Sequence, residues 1–356
     1  MMRFLMLTQT FPPAVGGMQT MMHALAKGLS SQSPVFVYTD RYSRSSGYKV
    51  CYWPMIKPLR ALMKCMRLGM TLRRDDIIIC DSWKSLAAVP ASARHVVVMA
   101  HGQEYIGHSQ AKRQRVQSLL QRATHLIANS QATLSLAQSA YDLGSIQTAV
   151  IPPTYGIPAS DLDHHIKQDH TMRLLSICRL EPRKGLQHVV EVLGALKHCT
   201  DFEWSIVGQG DFSSSIRAMI EAAGLSGRVK LLGYVNESDK QQLLQSADVF
   251  VMPSYQEGHS LEGFGIAYTE AARYGVASIA GVDGGVSDAV IDGFTGWNVD
   301  PLDKKALTAV VKEALLNHER TAQLGFNARQ HFNEAMSADV VMEMFRQHAC
   351  KVTVTH

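Results

Sequence analysis

The sequence predicts an α/β protein of two doubly wound domains facing across a cleft. Three observations carry that expectation. Short apolar, β-branched segments alternate with helical ones, the order of parallel strands joined by crossover helices. The alternation runs its course twice, on either side of a weakly patterned stretch that holds Pro152, Pro153, Gly156 and Pro158. The chain of 356 residues is long enough for two full cores.

In the first half, strands are expected at 3–9, 34–40, 49–53, 76–82, 95–100, 124–130 and 148–152. In the second half they are expected at 173–178, 202–208, 229–235, 248–254 and 276–281. Continuous apolar runs of this kind suit strands buried on both faces. Helices are expected between most of them, among others at 18–29, 57–74 and 266–274. The implied organisation is one domain over 1–153, a linker over 154–171, a second domain over 172–335 and a closing helical segment over 336–356.

Composition narrows the class. Apolar residues make up 46% and charged residues 19%, a balance that supports a packed core. No apolar run reaches the ~18–20 residues needed to cross a bilayer. A strand pattern begins at Arg3, so no leader peptide is expected. The cysteines at 51, 65, 80, 178, 199 and 350 form no CxxC pair and no metal-type cluster with histidine. A reduced, cytosolic protein is expected.

Charge is uneven. Residues 1–150 carry 17 Lys and Arg against 6 Asp and Glu, and the remainder carries 18 against 25. Within the first part, residues 57–74 hold six basic residues and no acid, with Leu, Met and Ala at helical spacing. A basic amphipathic helix of this kind reads as a membrane-surface element. A solvated face, or a basic rim that draws in an anionic substrate, is the other reading. No aromatic residues interleave with these cations, so nucleic acid is not expected.

Ligands of doubly wound sheets sit past the C-terminal strand ends, and the candidate chemistry falls there. After the first strand, Gly16 and Gly17 open a helix, whose free N–H groups and dipole favour an anion; a plain turn looks the same. His101 and Gly102 follow the fifth strand. Arg179 and Lys184 lie a short loop apart after Cys178, able to neutralise a diphosphate or to form a solvated basic turn. Gly208 and Gly210 follow a further strand without the third glycine of a dinucleotide fingerprint, so NAD is not expected. The most informative stretch is EGFGIAYTE, 262–270. Glu262 and Glu270 bracket it, and Gly263 and Gly265 follow the first. Carboxylates eight positions apart on a helix stand roughly 12 Å apart. A ligand anionic in the middle and hydroxylated at both ends, such as a nucleotide sugar, fits that spacing; the bland reading is an acidic surface helix. Asp75 and Asp76 precede a strand without a second acidic cluster, so no metal site is expected.

Together these motifs resemble the family-4 retaining glycosyltransferases of GT-B fold, over nearly the whole chain. The most specific element is Glu-x7-Glu at Glu262 and Glu270. Gly16-Gly17, His101-Gly102, RLxxxKG from Arg179 to Gly185, VGxG from Val207 to Gly210 and GGVSDAVIDGFTG at 284–296 stand in the same order. The resemblance implies that Arg179 and Lys184 hold the donor diphosphate, and that Glu262 with the amides of Gly263, Phe264 and Gly265 holds the transferred sugar and phosphates. It places Glu270 on the ribose, and Gly233, Tyr234 and Val235 at the base. It brings Gly16, Gly17 and Gly208 to the donor, and His101 to the anomeric centre. The first domain becomes the acceptor side, the second the nucleotide-sugar side, and 336–356 a helix that packs back on the first domain.

Two departures matter. Pro253-Ser254 is followed by YQEGHSL before Glu262, a longer loop that resembles the branch containing phosphatidylinositol mannosyltransferases. Asp288 stands where the family pattern has Glu, and is expected to cap a helix. The implied reaction is hexosyl transfer with retention, from GDP-mannose ahead of UDP-hexoses, to a glycan or lipid-linked acceptor of cell-envelope polysaccharide or glycolipid synthesis. No cofactor or metal is implied: cations and helix mouths stabilise the leaving diphosphate. The implied place is the cytoplasm, peripheral on the inner face of the plasma membrane if 57–74 docks there. The rival readings are a nucleotide-sugar epimerase or hydrolase of similar fold, and a non-catalytic membrane scaffold.

Overall fold

A computed structural model of the chain describes residues 2–14, 16–40, 42–43, 45, 47–52, 57–158 and 171–350. Trp53, the linker residues 159–170, the tail 351–356 and the side chain of Lys57 lie outside the described residues. Tertiary contacts divide the chain into one unit of Met1–Pro158 with Ala335–His356, and another of Ala159–Glu334.

The first unit runs β1 (Phe4–Thr8), α1 (Gly17–Ser30), β2 (Val35–Thr39), β3 (Lys49–Tyr52), α2 (Lys57–Thr71), β4 (Ile77–Cys80), β5 (His95–Ala100), α3 (Gln110–Leu120), β6 (His125–Ala128), α4 (Gln131–Ala140) and β7 (Gln147–Val150). Its seven strands pair in the order β3-β2-β1-β4-β5-β6-β7, all parallel. Side chains alternate between two apolar layers. Phe4, Met6, Ile77 and Ile79 enter one layer, and Leu5, Leu7, Ile78 and Cys80 the other. Both faces of the central strands β1, β4, β5 and β6 are covered, so these are almost wholly apolar, whereas the edge strands β3 and β7 are partly exposed and carry polar residues.

The second unit runs β8 (Met172–Ile177), α5 (Leu186–Leu196), β9 (Phe202–Val207), α6 (Ser213–Ala222), β10 (Val229–Gly233), α7 (Glu237–Ser246), β11 (Val249–Met252), α8 (Ile266–Arg273), β12 (Ala277–Ala280), α9 (Val286–Ala289), β13 (Gly296–Asn298), α10 (Lys304–Leu316) and α11 (His318–His331). Its order is β10-β9-β8-β11-β12-β13, again parallel. Fully buried Trp204 and Phe202 sit at the centre of its core. The twelve expected strands are all present, and β13 is an addition. A π-helical turn over Phe332–Met336 then leads into α12 (Ala338–Cys350). This last helix packs on α1 in the first unit: the Arg346 guanidinium donates to the Gly28 carbonyl at 3.0 Å, and Met342 fills the space a Cβ on Gly28 would need.

Helix α2 differs from its sequence reading in one respect. Lys64 is buried, ion-paired with Asp40 and bonded to the Thr8 carbonyl at 3.1 Å, so it is no part of a solvent-facing basic stripe. The outward face instead shows Leu59, Leu62, Met63, Met66 and Met70, which is 75% exposed, beside exposed Arg67, Arg73 and Arg74. The reason is period: Lys64 shares the inward stripe with buried Leu68, one turn on.

Candidate functional site

Strand order reverses between β1 and β4 in one sheet and between β8 and β11 in the other. A crevice opens past the C-terminal strand ends at such a switch point. In the second unit the loops after β8 and β11 carry the charged residues. The first makes a 3₁₀ turn over Pro182–Lys184 and starts α5 through left-handed Gly185. The second folds 257–260 into a narrow hairpin, where Glu257 and Ser260 exchange both backbone bonds at 3.0 and 2.9 Å. Tyr255 N donates to the Arg183 carbonyl at 2.9 Å, which ties the two loops together. The longer loop before Glu262 thus buttresses the cationic turn.

Glu262 lies ahead of α8, not on it, so the helical spacing that set it roughly 12 Å from Glu270 does not apply. Its carbonyl accepts from Gly285 N at 2.9 Å, and a Cβ on Gly284, which has φ 73°, would stand 2.2 Å from that oxygen. Glycine is required there. The Lys184 ammonium sits 2.5 Å from Glu262 Oε2, and Arg183 Nη1 sits 3.3 Å from the same oxygen. Burial pushes the Glu262 carboxyl up, but Lys184 and Arg183 outweigh it and hold the group below its ordinary value. Oε1 has no partner among the described residues and stays open to hydroxyl donors.

Arg179 is placed differently from Lys184. Its side chain is 75% exposed and pairs at 3.0 Å with Glu181, whose other oxygen takes Arg183 Nε at 2.9 Å. Arg179, Glu181, Arg183, Glu262 and Lys184 thus form one chain of alternating charge with a net positive charge. The sequence reading missed Arg183 and Glu181, although both lie inside the RLxxxKG stretch from Arg179 to Gly185.

Helices α1, α5 and α8 begin at Gly16, Gly185 and Gly265, without a side-chain cap. Asn236 caps α7 and Asp303 caps α10 through their side chains. The first-turn N–H groups of α1, α5 and α8 therefore lack a side-chain acceptor and suit an anion. Gly17 is the first residue of α1, Gly263 lies in the turn before α8, and Phe264 is buried there. Gly208, with φ 133°, passes so close to the Cys178 carbonyl that a Cβ would lie 1.8 Å from it. It donates to the Gly233 carbonyl at 2.8 Å, and this holds the β10 end against the turn. Tyr234 follows, 79% exposed, with half-exposed Val235 beyond it. Glu270, on α8, accepts from Lys240 at 2.6 Å, a partner the sequence reading also missed. Asp288 lies in the first turn of α9, whose cap is Gly285, so the expected cap at Asp288 is corrected.

In the first unit, the Nε2 of His101 lies 2.7 Å from the Asp81 carbonyl. A carbonyl only accepts, so Nε2 carries a hydrogen and donates it to that oxygen. Asp81 is itself buried, and its carboxylate accepts from Thr8, Gln9 N, Ser82 and Ser85. That network fixes the β1 end from which the Gly16–Gly17 turn departs. Among the described residues no cluster of His, Cys, Asp and Glu could hold a metal.

Two parallel units with glycine-opened helices at their switch points define a two-domain α/β enzyme of GT-B type. Residues 15–155 match the family model described as Glycosyltransferase Family 4, and residues 162–331 match Glycosyl transferases group 1. The chain belongs to glycosyltransferase family 4, on the branch that includes the phosphatidylinositol mannosyltransferases. It is 29% identical to the GDP-mannose-dependent monoacylated alpha-(1-6)-phosphatidylinositol monomannoside mannosyltransferase of Corynebacterium glutamicum, over 95% of either chain. It is 28% identical to the GDP-mannose-dependent alpha-(1-6)-phosphatidylinositol monomannoside mannosyltransferase of Mycolicibacterium smegmatis, over 91% of this chain and 92% of that one. In fold it is similar to HepE of Anabaena, solved in complex with UDP, with a TM-score of 0.78, 20% identity and coverage of 98% of this chain and 99% of that one.

Proposed function

We propose that this protein transfers a hexose, with retention, from a nucleotide-diphosphate sugar to a lipid-linked or glycan acceptor of the cell envelope, with GDP-mannose as donor. One observation carries the reading: a carboxylate, Glu262, fixed by Lys184 and Arg183 on one oxygen and open on the other, beside the uncapped start of α8. Such a group accepts sugar hydroxyls while the adjoining cations and N–H groups receive the diphosphate. The mannosyltransferase names of relatives matched over nine-tenths of their length support the donor and the lipid acceptor.

In the proposed reaction Glu262 orients the sugar. Arg179, Lys184, and the amides of Gly263, Phe264 and Gly265 stabilise charge developing on the leaving diphosphate. Gly16, Gly17 and Gly208 approach the phosphates, Glu270 takes the ribose, and Gly233, Tyr234 and Val235 border the base. His101 lies near the anomeric centre. The acceptor attacks from the face the diphosphate leaves, and a leaving-group oxygen takes its proton. Cation and helix mouths make a divalent metal unnecessary, and no cofactor takes part. Thermal-shift screening against GDP- and UDP-sugars tests the donor: a ligand at 100 times its Kd stabilises by about 2.7 kcal/mol. Stabilisation by UDP-hexoses and not by GDP-mannose would overturn the donor assignment.

The same reading places the enzyme on the cytoplasmic face of the membrane through α2. Its outward Leu62, Met66 and Met70 would enter the interface, and Arg67, Arg73 and Arg74 would meet anionic headgroups at about 1 kcal/mol each. No helix of the described residues is long and apolar enough to cross a membrane. Co-sedimentation with phosphatidylglycerol vesicles should fall when Leu62, Met66 and Met70 are changed to Ser. Unchanged pelleting removes α2 from the membrane.

A further inference from the structure

Lys240 is oddly placed. It sits in the first turn of α7, where the helix dipole disfavours a cation. Its side chain is only 19% exposed, so burial lowers its pKa; Glu270 and Glu237 outweigh that and leave the pKa raised. Its ammonium lies 2.6 Å from Glu270 Oε1 and 3.0 Å from Glu237 Oε2. Glu237 is 69% exposed and contributes little. Glu270 is 18% exposed, on the middle of α8, and its Oε2 has no partner among the described residues. Without that ion pair the enclosed carboxylate would lose the contact that fixes its orientation. The successive helices α7 and α8 meet in this pair, across 30 positions of sequence. Helix α7 starts directly after Tyr234 and Val235, at the strand end assigned to the base.

We propose that Lys240 is a positioning residue for donor recognition: it commits one oxygen of Glu270 so that the other is aimed at a ribose hydroxyl. The inference rests on the reading of Glu270 as the ribose carboxylate. Discrimination between ribo- and deoxyribonucleotides then depends on a residue that does not itself touch the ribose.

The test is calorimetric binding of GDP, 2′-deoxy-GDP, 3′-deoxy-GDP and UDP to wild type, Lys240→Met, Lys240→Arg and Glu270→Gln. Wild type should bind GDP about tenfold or more tighter than at least one deoxy form, as loss of a hydrogen bond to a charged group predicts. Lys240→Met should shrink that ratio to near unity, and Lys240→Arg should keep most of it. A ratio lost in Glu270→Gln but intact in Lys240→Met overturns this inference alone. Equal binding of GDP and both deoxy forms by wild type overturns the ribose reading of Glu270 together with it. A change in the GDP to UDP ratio with an unchanged ribo to deoxy ratio would place Lys240 at the base, and overturns it as well.

Discussion

Replacing Lys184 with Met removes the nearer of the two cations on Glu262. Unit charges 2.5 Å apart attract by about 6–7 kcal/mol at an effective dielectric near 20, and desolvation of both groups offsets much of that. Breaking a buried pair costs about 3–5 kcal/mol when the remaining charge is left alone. Glu262 is not left alone, because Arg183 stays 3.3 Å from the same oxygen. A loss of about 2–3 kcal/mol is therefore expected at neutral pH. The pH dependence has a definite sign. In the wild type, Glu262 is held below its ordinary pKa, so its contribution is present above the unfolded value of about 4.3 and is lost as pH falls through the lower folded value. In Lys184→Met, burial gains the upper hand and the folded pKa moves up. The variant then gains stability relative to wild type as pH falls. Urea unfolding of wild type, Lys184→Met, Glu262→Gln and the double variant, at about pH 7 and about pH 4.5, completes a double-mutant cycle. The expected coupling is about 2 kcal/mol at neutral pH and less in acid. Coupling below about 0.5 kcal/mol, or a penalty independent of pH, would refute the pairing and its electrostatic account.

Arg179→Ala should leave stability within about 0.5 kcal/mol of wild type, since its pair with Glu181 is exposed, yet slow transfer by about 10²-fold; steady-state kinetics beside thermal melts separate the two effects. Gly208→Ala, whose methyl would press on the Cys178 carbonyl, should cost more than about 2 kcal/mol or prevent folding, whereas Gly227→Ala, with open space around it, should melt within about 0.5 kcal/mol of wild type. Transfer should persist in excess EDTA; loss that Mg²⁺ or Mn²⁺ restores would show that a metal shares the work assigned to Arg179, Lys184 and the helix mouths.

Most of the strands were legible because the central strands of both sheets are covered on both faces and read as short apolar runs between turn residues, while partly exposed β3, β7 and β10 still carry β-branched or other apolar residues between turns. The thirteenth was not. Gly296–Asn298 is three residues long, carries one large apolar side chain, and follows a run of turn formers. The glycine turns ahead of α1, α5 and α8 were also readable, being local in sequence, whereas a helical spacing between the two candidate glutamates was not there to be read, since Glu262 precedes α8. What the glutamates bond to was not readable either. Lys184 meets Glu262 across 78 positions and Lys240 meets Glu270 across 30, and nothing local to either residue announces its partner. Arg183 could have been found: it adjoins Lys184 in a turn already singled out for cations. Lys64 misled for a different reason. Counting charges along 57–74 ignores helical phase, and the phase that carries Leu68 inward carries Lys64 with it.

Helix α12 has a consequence for how the chain is made. Val341, Met342, Phe345 and Ala349 complete the apolar layer that Met22, Leu25 and Leu29 of α1 begin, yet the entire second unit lies between them in sequence. During synthesis at roughly 5–20 residues per second, the early part of the first unit must wait on the order of ten seconds or more for its cover. For that interval the α1 face is an unprotected sticky surface, while the second unit, continuous in sequence, can close as soon as it emerges. A nascent chain stalled or clipped before Val341 should therefore hold a finished second unit and an unfinished first one, the reverse of the order in which ribosomes usually complete domains.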